Sequence, residues 1–167
     1  SACEKAGQWR PALEVLARMP RAGLPPDGFS YSAAAGACKQ AAKWCLALEL
    51  LAQMARASLQ ASTLSSNAAM SACERAAEWR VALELLARMP RSSLQPDYVS
   101  CNIALGTCES RWSVALGLLD AMHGIGQGPD LVSCRSAISA CELGCHWRLA
   151  LGFSAEPWRL FGRLAAA

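Results

Sequence analysis

This sequence predicts an all-α fold: an α-solenoid of stacked antiparallel helical hairpins, about four and a half repeats of 35 residues. Three observations carry that reading. The chain repeats itself. SACEKAGQWRPALEVLARMPRAGL at 1–24 returns as SACERAAEWRVALELLARMPRSSL at 71–94, with a weaker copy, GACKQAAKWCLALELLAQMARASL, at 36–59. Trp9, Trp44 and Trp79 stand 35 residues apart, Trp112 follows after 33 and Trp147 after another 35; Cys3, Cys38, Cys73, Cys108 and Cys141 keep nearly the same interval. A period of that size marks a repeat architecture, in which each unit buries its apolar face only against its neighbours. Composition agrees: Ala and Leu dominate, aromatics make up 7%, and strong helix formers prevail over β-branched residues. Finally, the apolar residues of each unit fall at helical spacing.

The units follow in order. Residues 1–27 form a partial repeat, 28–62 and 63–97 full repeats, 98–130 a shortened one, 131–153 a second partial one, and 154–167 a divergent segment. The shortening falls between Cys108 and Trp112, where ESR stands for the usual five residues. The opening SACEKAGQW carries neither an initiator Met nor a leader pattern, which predicts an internal piece of a longer protein. First helices are predicted over roughly 30–41, 65–76, 100–110 and 133–143. Each follows Pro-Asp or its equivalent (Pro26-Asp27, Ala61-Ser62, Pro96-Asp97, Pro129-Asp130), with a serine three residues on: Ser30, Ser65, Ser100 and Ser133. Proline stops the preceding helix, and Asp or Ser caps the next by accepting from its exposed N–H groups. Second helices open at the tryptophans. From Trp44, the residues Ala47, Leu48, Leu50, Leu51 and Met54 make one apolar stripe, with Glu49 and Gln53 opposite. These helices close at Pro20 and Gly23, Ser58, Pro90, and Gly124 with Gly126.

The same arithmetic excludes several classes. At 53% hydrophobic, with a net charge of +3, the chain is too apolar for disorder. Its apolar runs are broken well before the roughly 20 residues of a membrane span. There are nine cysteines, and the five spaced by whole repeats predict small buried residues in reduced form rather than a disulfide framework. Cys141, Cys145 and His146 look like part of a metal site, but no second ligand pair exists, so neither metal nor other cofactor is expected. With only His123 and His146 there is no Ser/His/Asp set. There is also no phosphate-binding P-loop, so the chain is not read as an enzyme.

A 35-residue helical hairpin ending in Pro-Asp resembles the pentatricopeptide repeat family, best in PDYVSCNIALGTCE (96–109) and ALELLARM (82–89). The tetratricopeptide repeat competes, but its period is 34 and its W-x2-L-G spacing is absent here. The resemblance implies single-stranded RNA as partner, one base per repeat, read by two or three side chains. It implies reading pairs at Ser32 with Ser62, Asn67 with Asp97, and Asn102 with Asp130, and places Arg135 at the fourth reading position without a clear partner. The base-sandwiching position, three residues before each first reader, holds Phe29, Leu64, Val99 and Val132. By the family's code the two Asn–Asp pairs favour uracil. The family works in plastids or mitochondria on transcript processing, stability, splicing or editing. The residue chemistry stands beside that resemblance: Asn offers both a donor and an acceptor, and an adjacent carboxylate can fix its amide. The bland reading makes Asn67 and Asn102 local hydrogen-bonders and Asp97 and Asp130 plain helix caps.

Cations recur at Arg10 and Arg80, Lys43, Arg18 and Arg88, and Arg21, Arg56 and Arg91, either along a phosphate path or on a solvated face. The tryptophan stripe is read as inter-helix packing rather than a stacking platform. The alternative function is a protein–protein scaffold without RNA binding, with protein partners or self-association through exposed repeat ends.

Overall fold

A computed structural model of the protein describes residues 8–109, 111–124 and 130–145. Among the described residues there are eight α-helices and no strand: α1 Trp9–Arg18, α2 Gly28–Gln40, α3 Trp44–Arg56, α4 Thr63–Arg75, α5 Trp79–Arg88, α6 Tyr98–Thr107, α7 Trp112–Gly124 and α8 Leu131–Leu143. The chain divides into two compact units, with the boundary inside α6 between Ile103 and Ala104. Cys3, the second helix expected from Trp147, and the segment 154–167 lie outside the described residues.

First helices begin two residues earlier than the sequence reading placed them. Asp27, Ser62, Asp97 and Asp130 stand just before the helices. Their side-chain oxygens accept from the N–H of Ser30 (2.8 Å), Ser65 (3.1 Å), Ser100 (2.7 Å) and Ser133 (2.7 Å). A cap lies outside the helix and reaches its third residue, so each serine is the third helical residue and not the first. At Ser62–Ser65 and Asp130–Ser133 the serine answers through its own hydroxyl, closing a capping box. The shortened repeat ends α6 at Thr107, where the sequence reading ran to residue 110. The missing two residues come out of the end of the helix rather than the turn: α6 has 10 residues where α2 and α4 have 13, and the turn after it closes through Cys108 N–H to Leu105 O and Arg111 N–H to Cys108 O.

Second helices differ in length for a reason visible in one residue. Pro20 and Pro90 cannot donate to the helix ladder, so α1 and α5 stop at Arg18 and Arg88 and continue as single 3-10 turns. Ala55 holds the equivalent place in α3, which runs on to Arg56. The turns then reverse through left-handed residues: Gly23 (φ 74°), Ser58 (φ 55°) and Ser93 (φ 59°).

In the first unit, α2 and α4 pack side by side, and α1, α3 and α5 pack against them. Tyr31, Ser32 and Ala34 to Cys38 of α2 are all buried, as are Ser65 to Asn67 and Ala69 to Cys73 of α4. A helix covered on nearly every face needs small residues, and these supply them. The core joins Leu16, Tyr31, Cys38, Ala47, Leu50 and Met54 with Ala69 and Ala72, and Trp9 and Trp44 pack against it. Both tryptophans therefore serve packing, as expected. In the second unit α7 packs on α8. Leu119, Met122, Ala137, Ala140 and Cys141 are fully buried there. Cys38, Cys73, Cys108 and Cys141 are all fully buried and free, as their repeat spacing predicts. No described helix is long and apolar enough to cross a membrane.

Candidate nucleic-acid interface

The first unit holds an open cavity of about 360 Å³ where α2 and α4 meet the start of α6. Phe29, Ser32 and Lys39 line it from α2, Leu64, Asn67 and Ser71 from α4, and Asp97 and Val99 from the next repeat. Three expected sandwiching residues thus edge one cavity, and they are exposed: Phe29 by 74%, Leu64 by 65% and Val99 by 55%. Folding leaves large apolar groups in water here.

Asn67 and Asp97 are brought together. Asn67 Nδ2 donates to Asp97 Oδ1 at 3.2 Å, and the Ser100 hydroxyl donates to Asn67 Oδ1 at 2.7 Å. Asp97 Oδ1 also accepts from Ser100 N–H (2.7 Å) and lies 2.8 Å from Ser100 Oγ. Asn67 is 8% exposed and Ser100 is fully buried. Burial works against the Asp97 charge. The Ser100 N–H, the Ser100 hydroxyl, whose one hydrogen is shared between Asp97 Oδ1 and Asn67 Oδ1, and the Asn67 amide outweigh that and hold its carboxyl below the ordinary carboxylate range. Asp97 is therefore a cap and a partner of Asn67 at once.

Ser32 and Ser62 do not form such a pair. Ser32 Oγ donates to Gly28 O in its own helix at 2.8 Å, and Ser62 is engaged with Ser65. Asn102 is half-buried on α6 in the first unit, whereas Asp130 caps α8 in the second. Val132 and Arg135 are exposed on the first two turns of α8.

The recurring cations sort themselves. Arg10 and Lys43 lie over the Trp9 ring at 5.1 and 5.7 Å, and Arg80 over Trp79 at 5.2 Å. Arg18 pairs with Glu14 and Arg88 with Glu84 on exposed helix faces. All five sit on or beside second helices, away from the cavity. The cation that does line it is Lys39, which the sequence reading passed over. Its signal was available: Glu4, Glu74, Glu109 and Glu142 hold the same place in the other units. Among the described residues no cluster of His, Cys, Asp and Glu could hold a metal, and His146 lies outside them.

No protein-family model matches the chain, and no curated protein sequence matches it. Solved structures do. The chain is similar to the pentatricopeptide repeat protein PPR10 from maize, with TM-score 0.79 and 20% identity over 98% of this chain and 24% of that one. It is also similar to PPR10 in complex with an 18-nucleotide psaJ RNA element, with TM-score 0.72 and 21% identity over 91% of this chain and 22% of that one. The chain thus spans about a quarter of the length of those proteins. The likeness establishes the fold: a pentatricopeptide-type solenoid of helical hairpins.

Proposed function

We propose that the chain binds single-stranded RNA and selects uracil at two repeats through Asn67 with Asp97 and Asn102 with Asp130. The observation that carries the reading is the hydrogen-bonded Asn67–Asp97 pair in a cavity edged by exposed Phe29, Leu64 and Val99. Apolar groups on each side of a base contact its faces whatever the sequence, and a donor beside an acceptor addresses its edge. Lys39 adds a positive charge able to meet a backbone phosphate. The PPR10 structure with RNA supports the reading by its fold and its ligand. The work done is binding, with no chemical step. In the second unit Val132 would serve as a sandwiching residue, and Arg135 would meet phosphate rather than a base. Ser32 and Ser62 would form the less selective first position. A role in organellar transcript processing, stability, splicing or editing, in plastids or mitochondria, belongs to the same proposal; localising the tagged full-length protein tests it.

The decisive experiment is fluorescence anisotropy of the whole chain with U-rich and A-rich strands at about 50 and 200 mM salt. Tighter, salt-sensitive binding to the U-rich strand is expected. Equal or absent binding overturns the proposal and leaves a helical scaffold for protein partners.

A further inference from the structure

An asparagine amide has two ends of nearly equal shape and opposite hydrogen-bonding character, so its orientation decides what it offers a ligand. Resting on the RNA reading above, we infer that Ser100 is a specificity-determining positioning residue: its buried hydroxyl locks the Asn67 amide with the N–H end available to the base. The serine belongs to the following repeat. It reaches Asn67 Oδ1 at 2.7 Å, while the Nδ2 contact to Asp97 is longer, at 3.2 Å. Both contacts impose the same orientation, and the shorter one is the serine's.

The inventory of hydrogen bonds gives the consequence. Asn67 Oδ1 is engaged, and one Nδ2 hydrogen points to Asp97. The other hydrogen is left for a ligand. Asp97 Oδ1 is approached by Ser100 N, Ser100 Oγ and Asn67 Nδ2, and the second carboxylate oxygen, Oδ2, is an acceptor as well. The pair therefore offers one donor and one acceptor. Uracil presents two carbonyl oxygens around one N–H, and needs a donor from the protein. An amide turned the other way would set Oδ1 against those carbonyls. It would instead suit cytosine, in which an amino group replaces one carbonyl. Orientation of this one amide thus separates the two pyrimidines.

The preceding repeat supplies an internal control. Ser65 holds the place of Ser100, but its hydroxyl donates to Ser62 O at 2.9 Å. The reader there, Ser32, is turned to Gly28. Ser65 caps a helix and orients no reading amide.

The test measures the affinity of the whole chain for oligouridine and oligocytidine in Ser100→Ala, Ser100→Thr, Ser65→Ala and Asn67→Ala, with thermal unfolding followed alongside. Ser100→Ala should lower the U-to-C affinity ratio about fivefold, the worth of one net hydrogen bond. Ser100→Thr, which keeps the hydroxyl, should retain the ratio. Ser65→Ala should lose stability and keep it. An unchanged ratio in Ser100→Ala, with the ratio lost in Asn67→Ala, overturns the role of Ser100 and leaves the RNA reading standing. An equal fall in Ser65→Ala makes the effect one of capping and overturns it too. A wild-type chain without preference, or an Asn67→Ala chain that keeps it, overturns the RNA reading and this inference with it.

Discussion

Replacing Asn67 by Ala separates a reading residue from a structural one, because its surroundings make the stability cost small. The substitution removes the bonds to Asp97 (3.2 Å) and from Ser100 (2.7 Å). Neither partner is stranded. Ser100 Oγ remains 2.8 Å from Asp97 Oδ1, and Asp97 keeps the Ser100 N–H at 2.7 Å. The loss is therefore two net bonds of about 0.5–1.5 kcal/mol each, without a desolvated orphan. Asn67 lines an open cavity, so no closed void is left. Ala returns up to about 0.7 kcal/mol in helix propensity. The sum is a destabilisation of about 1 kcal/mol. If Asn67 reads a base, the same change should remove about 1–3 kcal/mol of discrimination, taking by analogy the range for a bidentate side chain–base contact, or roughly 5- to 150-fold in affinity for a U-rich strand. A-rich binding should hold. Adding Asn102→Ala should deepen the loss on the U-rich strand. Urea unfolding by circular dichroism gives the first number and fluorescence anisotropy the second. Destabilisation beyond about 2 kcal/mol with an unchanged base preference would refute the argument and return Asn67 to a purely structural role.

Four further outcomes follow from the geometry. Phe29→Ala and Leu64→Ala should leave stability within about 0.5 kcal/mol, since both side chains are largely in water. Both should weaken U-rich and A-rich binding alike by about 1–3 kcal/mol per base in titrations, taking the upper range from aromatic stacking. Ala42→Gly and Ala77→Gly should stabilise by about 0.5–1 kcal/mol in urea unfolding, because both alanines are left-handed (φ 53° and 59°) and Gly7 fills that place in the first unit. A thiol reagent should modify exposed Cys45 in the native chain at once. Cys73, pushed up to about 11 by burial and then by Glu78, should react only on unfolding, as mass spectrometry of time points would show. The Asp97 carboxyl is held below its usual 3.8 in the folded chain. Its contribution is therefore complete above the unfolded value and is lost as pH falls through the folded one, so uracil preference should stay flat from about pH 8 to 5 in anisotropy titrations.

Much of this architecture was legible in the sequence because the repeat writes it several times over. The tryptophan and cysteine intervals give the hairpin, and Pro20, Pro90 and Ala55 tell even which second helices are short. Helix starts were displaced by two residues because Ser30, Ser65, Ser100 and Ser133 look like caps themselves. The sequence offered both those serines and the residues three before them as caps, and the hydrogen bonds settle it for Asp27, Ser62, Asp97 and Asp130. The Asn67–Asp97 contact joins residues 30 apart in sequence, and Ser100 reaches Asn67 across 33. No local pattern encodes such a pairing; it follows from bringing the start of α6 beside α4. Lys39 was missed for the opposite reason. A single departure from a repeated glutamate is easily read as noise until the cavity gathers it beside Phe29 and Asn67.

On the proposed RNA reading, the cap also places the reading position. With Asp27 as the cap, Phe29 is the second helical residue, Ser30 the third and Ser32 the fifth; Leu64, Ser65 and Asn67 repeat the phase after Ser62. Residues three apart on a helix share a face, so the exposed apolar residue and the reader are neighbours. The third residue is drawn toward the cap: Ser65, Ser100 and Ser133 are fully buried, and Ser30 is half-buried. One short stretch, cap to fifth residue, therefore fixes three directions at once: an apolar group out, a hydroxyl in and a polar group between them. At Asp97 the cap of one repeat is also the partner of the previous repeat's Asn67, whereas Ser62 caps its helix without meeting Ser32. A single hairpin thus holds half a reading site. Stacking, which the apolar faces require in any case, supplies the other half. If the proposed RNA reading holds, selectivity is tied to the same bonds that start the helices, so changing Asp97 should cost stability and recognition together, whereas changing Asn67 should cost recognition almost alone.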